Sequence, residues 1–297
     1  MKILIMIMSA GKQPALRNEE AIFNSYIKSY DENKSLFKHT YDFVTYKGGY
    51  NEVHINNRQM YLTSPDDIES TFIKTLEAFD IIKDYDYDYL IRVNISTYVN
   101  LFLIDKEIEN LNKNFIYCNA ICTYYKSSKL LNQVFPRGDA YIIHKDLLFN
   151  ILNCKNNIDD LIDNGVDPMD DSMFGVLCAK YFSNKTHNHI KLLEYSFIPQ
   201  MITALDIMEV KKSAYTFFTR LKTCPPDSYS GYSWDDNQYR IHDQYKFNFI
   251  NDYVYKIKNT NTSMIYSNNK DRCFHINHND RIEMISFDNL IQLHNNK

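Results

Sequence analysis

At 297 residues, 44% of them hydrophobic, the chain is long enough for one large α/β domain or two small ones with a real core. A net charge of −4, a pI near 6.1 and scattered basic residues exclude a nucleic-acid-binding surface. No segment reaches the roughly 20 apolar residues that span a bilayer. The six cysteines show no CxxC spacing, which argues for reduced thiols in a cytoplasmic protein rather than a zinc site.

The chain opens with KILIMIM, a continuous apolar run of the kind that forms a parallel strand buried on both faces. The run is short for a secretory leader and is flanked by a single lysine, so it reads as a first strand. It ends at Ser9-Ala10-Gly11, small residues that let a ligand approach the backbone. A helical pattern follows from about Glu19 to Tyr30, then YDFVTYKGG, a strand that stops at Gly48-Gly49, and the short strand QMYLT. In SPDDIESTFIKTLEAFDII, Ser64 is placed to cap a helix, with Pro65 in its first position and Asp66 and Asp67 at its positive end. Ile68, Phe72, Leu76, Phe79 and Ile82 then share the face that packs on the sheet.

The stretch DYDYDYLIRVNISTYVN poses the main question. Asp84, Asp86 and Asp88 alternate as metal-binding carboxylates do, yet they precede the apolar strand YLIRV. Strand and helix alternation predicts a mainly parallel, doubly wound sheet, and such sheets bind ligands at the carboxyl ends of their strands. The three aspartates therefore read as a solvated turn, and Asn94-Ile95-Ser96 takes the ligand end. Arg92, by simple strand alternation, points away from the site.

The middle of the chain continues with the strand NFIYCNAICTYY and then FPRGDAYIIHKDLLFNIL, a strand at AYIIH running into a helix. The Gly/Pro/Asp loop DNGVDPMDD leads into another helix, and a strand lies near IKLLEY. From about Asp206 the chain turns polar and aromatic, with CPPDSYSGYSWDDNQYR as its clearest long loop. These shifts divide the chain into a core over 1–205, with a donor half to about 105 and an acceptor half over 106–205, and an extension over 206–297 that packs on it.

The order of motifs resembles the GT-A glycosyltransferases, specifically the β-1,3-galactosyltransferase and Fringe-like group. FIKTLEAF is similar to the Leu-x-Lys-Thr-Leu of that group, and YLIRVNISTYVN to its strand, acidic triplet and aromatic-Val-Asn sequence. GDAYIIHKDL is similar to its Gly-x-Ala-Tyr-x-x-Ser-x-x-Leu, and DDSMFG to its Glu-Asp-Val-x-x-Gly or Asp-Asp-x-x-x-Gly. The resemblance covers roughly positions 1–200 and implies a Rossmann-like GT-A core, a mainly parallel central sheet flanked by helices, followed here by an aromatic-rich C-terminal extension.

It also implies an inverting transfer of a sugar from a nucleoside-diphosphate donor, a UDP-sugar by preference, to a hydroxyl of a saccharide or glycoprotein. Asp171 matches the catalytic base, and Asp170 with the lid candidate Trp234 falls on the acceptor side. Ser9, Ala10, Gly11, Tyr46, Lys47, Asn94, Ser96 and Arg137 fall on the donor side, with Tyr46 a candidate for base stacking. Arg220, Lys222 and Arg240 are further candidate cations for the diphosphate, as is Arg92 apart from its strand alternation. The group's triplet supplies carboxylates for Mn²⁺ or Mg²⁺, and here Asn94 and Ser96 stand in those places. A neutral amide and a hydroxyl are poor ligands for a hard cation, so no metal ligand is assigned and neither ion is expected to be essential. The same loss of carboxylates leaves open a catalytically inactive binding protein of GT-A type.

Overall fold

The computed structural model describes residues 1–119, 121–123, 134–155, 170–183, 185–193, 195–197, 216–221, 246–248, 250–252, 254–255, 273–276 and 282–285. In chain order the elements that position the site are β1 (Lys2–Met8), α1 (Ala15–Ile22), α2 (Lys28–Glu32), β2 (Thr40–Lys47), β3 (His54–Asn56), β4 (Gln59–Tyr61), α3 (Thr71–Ile82), β5 (Tyr89–Asn94) and β6 (Thr97–Val99). They continue with α4 (Leu101–Glu107), β7 (Ile116–Cys118), β8 (Ile121–Thr123), β9 (Val134–Pro136), β10 (Ala140–His144), α5 (Lys145–Leu152), α6 (Asp170–Tyr181), β11 (Ile190–Leu192), β12 (Tyr195–Phe197), β13 (Phe218–Arg220), β14 (Cys273–Ile276) and β15 (Ile282–Ile285).

Among the described residues the central sheet has eight strands in the order β11-β7-β10-β5-β1-β2-β4-β3. β1 runs parallel to both β2 and β5, β2 is parallel to β4, and β7 is parallel to β11. Only β10, wedged between β5 and β7, and the edge strand β3 run the other way. The fold is thus α/β with a mainly parallel central sheet.

Helices cover both faces, which is why KILIMIM and YLIRV lack polar alternation. On one face Ile3, Ile5, Ile7, Tyr89, Ile91 and Val93 pack with α1 and α4 and with Phe247, Ile250 and Val254. On the other, Leu4, Met6 and Leu90 pack with Phe72, Phe79 and Ile82 of α3 and with residues of α5 and α6.

One helix starts later than its sequence pattern predicts. α3 begins at Thr71 with Ser70 before it, and Ser64 instead bonds the Glu77 carboxylate through both its backbone N–H and its hydroxyl. Ile68, read as part of the packing face, is 49% exposed. The reason is tertiary: Gly48 lies so close to Ser64 and Pro65 that a Cβ there would collide with their carbonyl oxygens, and this packing keeps the segment irregular. The pattern from Glu19 to Tyr30 is interrupted as well, with a kink at Ser25 between α1 and α2.

Segments beyond position 206 enter the sheets of the core. β13 pairs with β6 and with β12, and β14 pairs with β8 and β15. Among the described residues no helix is long and apolar enough to cross a membrane, and Cys118, Cys154 and Cys178 are free thiols.

Candidate active site

Asp84, Asp86 and Asp88 are all exposed at the amino end of β5, where Asp86 pairs with Lys2 and the Asp88 carboxylate accepts from the Lys2 backbone N–H at 2.8 Å. The chemistry gathers at the opposite end of the sheet. There Asn94 closes β5, and its backbone N–H donates to the Asp139 carbonyl at 2.9 Å. Its side-chain Oδ1 accepts from the Ser96 N–H at 3.3 Å and the Ser96 hydroxyl at 3.2 Å, a turn closed on itself and buried. The Asn94 amide oxygen and the Ser96 hydroxyl are therefore engaged with each other. Neutral, buried and mutually bonded, they do not fit a divalent cation, which prefers charged oxygens. Among the described residues no group of three or more His, Cys, Asp or Glu side chains is gathered so as to hold one.

Asn100, the last residue of YVN, caps α4 by accepting from the Leu103 N–H at 3.2 Å. Tyr98 packs edge-on against Tyr26 with ring centroids 5.5 Å apart.

Arg92 is placed differently from its expected position. It does alternate onto the face covered by α3 and α6, but the first turn of α6 descends over that face, so the guanidinium meets Asp170 and the Gly138 carbonyl. Arg92 is fully buried, and its Nη2 also reaches the Met8 sulfur at 3.0 Å. A buried guanidinium needs such a partner, since an isolated charge there would be very costly. Asp170 also accepts from the Thr75 hydroxyl at 3.4 Å, and burial, outweighing the pull of Arg92, pushes its carboxyl up to about 6.

Asp171, next to it in the first turn of α6, is half-buried. Its carboxylate accepts from the Gly138 N–H at 3.4 Å and the Ser172 N–H at 3.0 Å. Burial raises its carboxyl above the ordinary range, against the opposing pull of those N–H groups and of Arg137 and Arg92. A Cβ at Gly138 would stand in ordinary contact, 3.4 Å from the Asp171 Cβ and 3.5 Å from an Asp170 oxygen, so this glycine lies directly against both carboxylates without being demanded by space. Gly175, the glycine of DDSMFG, has a packing role: a Cβ would come within 2.5 Å of the Phe135 ring.

Arg137 is about one-third exposed, with its Nε 3.2 Å from Asp139. Arg220 lies on the other side of Asp139, 3.5 Å away, and donates to the Thr97 hydroxyl at 3.3 Å. The turn at 137–139 thus joins the 94–97 segment to Asp170 and Asp171. Trp234, Lys222 and Arg240 lie outside the described residues.

The ends of β1 and β2 hold a second polar group. Ser9 is buried and donates to Glu19 at 2.7 Å, and Lys47 is buried against the same carboxylate at 3.0 Å. Lys47 is therefore neutralised from within. Tyr46 is fully buried, with its hydroxyl 3.1 Å from that of Thr75, which leaves no ring face for a base to stack on. Ala10 is half-buried, and the exposed Gly11 donates its N–H to Asp66. The sequence pattern gave no role to Glu19, Lys74 or Asp139, and it set Asp66 at a helix start rather than against Gly11, Gly48 and Lys74. A charged residue on the buried face of an apolar helix, as Lys74 is between Phe72 and Ala78, was the available signal.

No protein-family model matches the chain, and no curated protein sequence matches it. Among solved structures, a glycosyltransferase involved in glycosylation of the major capsid of PBCV-1 aligns with a TM-score of 0.43 at 9% identity, covering 83% of this chain and 99% of that one. The galactosyltransferase LgtC, in complex with donor and acceptor sugar analogues, aligns with a TM-score of 0.43 at 9% identity over 83% of this chain and 96% of its own. A Drosophila β-1,4-galactosyltransferase 7 mutant, in complex with manganese, UDP-Gal and xylobiose, aligns with a TM-score of 0.28 at 6% identity, over 50% and 51% of the two chains. Likenesses this loose assign no function.

Proposed function

We propose that this chain is an inverting glycosyltransferase of GT-A type, acting on a nucleoside-diphosphate sugar, with UDP favoured, and on a saccharide or glycoprotein hydroxyl. The observation that carries this is the half-buried Asp171 at the carboxyl end of the sheet, bonded to Gly138 and made more basic by burial. In the reaction Asp171 takes the proton of the acceptor hydroxyl as that oxygen attacks the anomeric carbon, and the bond from that carbon to the diphosphate breaks. Asp170 is held by Arg92 and fixes the first turn of α6, which sets where Asp171 points. Arg137, beside Asp171 and partly open to solvent, offers positive charge to the leaving diphosphate. No step calls for a metal ion, and the free thiols support a reducing, cytoplasmic setting.

A panel of UDP-, GDP-, CMP- and dTDP-sugars offered to the wild type and to Asp171→Asn tests this. Turnover of one donor is expected, with a loss of about 10²–10⁴-fold in the variant and little change on adding a chelator. Equal turnover by both proteins would clear Asp171 of a role as base, and chelator-abolished activity restored by Mn²⁺ would overturn the metal-free reading.

A specific observation favours a second reading, a non-catalytic binding protein of the same fold. Asn94 and Ser96 are occupied with each other, and Lys47, Lys74, Arg92 and Arg220 each face a carboxylate at the ligand end. Nucleotide binding without turnover of any donor would decide for it.

A further inference from the structure

The segment between β4 and α3 runs over the surface, with Pro65, Asp67, Ile68 and Glu69 exposed, yet it sends one carboxylate inward. Asp66 Oδ2 accepts from the Gly11 N–H at 2.5 Å, and Oδ1 accepts from Lys74 Nζ at 2.7 Å and the Gly48 N–H at 3.3 Å. Lys74 is 3% exposed, and its ammonium also donates to the Ser9 carbonyl at 2.9 Å. Two backbone N–H groups, from the loops after β1 and β2, and one buried ammonium thus converge on a single anion. They do so at the carboxyl ends of parallel strands, where such sheets take their ligands.

The donors and the acceptor differ in how firmly they are held. Gly48 directly follows β2, Gly11 lies three residues past the end of β1, and Lys74 lies in the first turn of α3. The surface segment is anchored at Ser64, through Glu77 and the Gly49 N–H, and at its far end by turns closed on Ser70 and Thr71. Between those anchors, among the described residues, the hydrogen bonds from Pro65–Glu69 to other elements are those of Asp66.

We propose that Gly11 N–H, Gly48 N–H and Lys74 Nζ form a phosphoryl-binding cradle that Asp66 occupies in this structure and that an incoming phosphoryl group takes over. The exchange keeps every donor satisfied. It replaces a single negative charge beside Lys74 with a phosphoryl group's larger one, and the released Asp66 carboxylate passes to solvent with its loop. Asp66 then acts as an internal competitor that weakens ligand binding. The cradle stands on this geometry alone; naming the diphosphate of a nucleotide sugar as its natural occupant rests on the function proposed above.

Calorimetric titration of the full chain with sodium pyrophosphate, UDP and uridine, in wild type, Asp66→Asn and Asp66→Ala, tests the cradle. Pyrophosphate is expected to bind Asp66→Asn at least tenfold more tightly than wild type, and Lys74→Gln added to that variant should remove the gain. Should Asp66→Ala fail to fold, Asp66→Asn carries the test, since its one amide oxygen can still accept from Lys74 and the Gly48 N–H while its NH2 group cannot accept from the Gly11 N–H. Pyrophosphate binding that is unchanged or weaker in the folded variants would make Asp66 a tether and overturn the proposal. UDP that binds no better than uridine, while pyrophosphate gains as expected, would keep the cradle and remove the nucleotide-sugar assignment.

Discussion

The two ends of the central sheet carry the same residue types to opposite effect. At the amino end Lys2 and Asp86 meet with their side chains 52% and 83% exposed, and Asp84 and Asp88 stand in solvent. At the carboxyl end Lys47–Glu19, Lys74–Asp66, Arg92–Asp170 and Arg220–Asp139 are ion pairs between side chains that are almost wholly buried. Water already solvates charges at the first end, so pairing there adds little. At the second end desolvation makes each charge depend on its partner, and removing one side leaves a costly orphan. On the function proposed above, each pair holds a donor or acceptor in place before a substrate arrives.

Breaking the contrast at its strongest point should have the largest effect. Arg92→Met leaves Asp170 buried without its partner, and urea unfolding should show a loss of about 3–5 kcal/mol. A loss near zero would mean that the start of α6 is held some other way. Gly175→Ala, which pushes a methyl into Phe135, should cost about 1–3 kcal/mol in the same measurement. A pH series sharpens the picture at Asp171. Its raised carboxyl must be ionised to act as base, so turnover should fall as pH drops through a limb above the ordinary carboxylate value. Over that interval the folded state holds a proton the unfolded state has lost, so the group's contribution to stability declines as pH rises. A turnover limb at the ordinary carboxylate value would show that burial does not govern the group. At the other end of the sheet, Asp86→Asn should leave the unfolding midpoint unmoved, because its partner is exposed.

Much of this layout was readable along the chain. KILIMIM, YDFVTYK, YLIRV and AYIIH are strands as their apolar runs predict, and the placement of Asp84, Asp86 and Asp88 followed from the polarity of a parallel strand. The reading was weaker where one residue's role depends on another element. Alternation set the face of Arg92 but said nothing of α6 coming down on it. Tyr46 looked available because it ends a strand, yet α3 covers it, with Thr75 against its hydroxyl. Ser64 has the composition of a helix cap, but the closeness of Gly48 to Ser64 and Pro65 moved the helix start to Thr71.

By itself the sequence determined where the main strands and helices fall and which residues stand at the carboxyl ends of the strands, because periodicity and chain direction are local properties. Only the tertiary structure decided which charges are buried together. Asp66 with Lys74, and Arg92 with Asp170, come from separate elements, and the price of burying a charge depends on what the fold sets beside it.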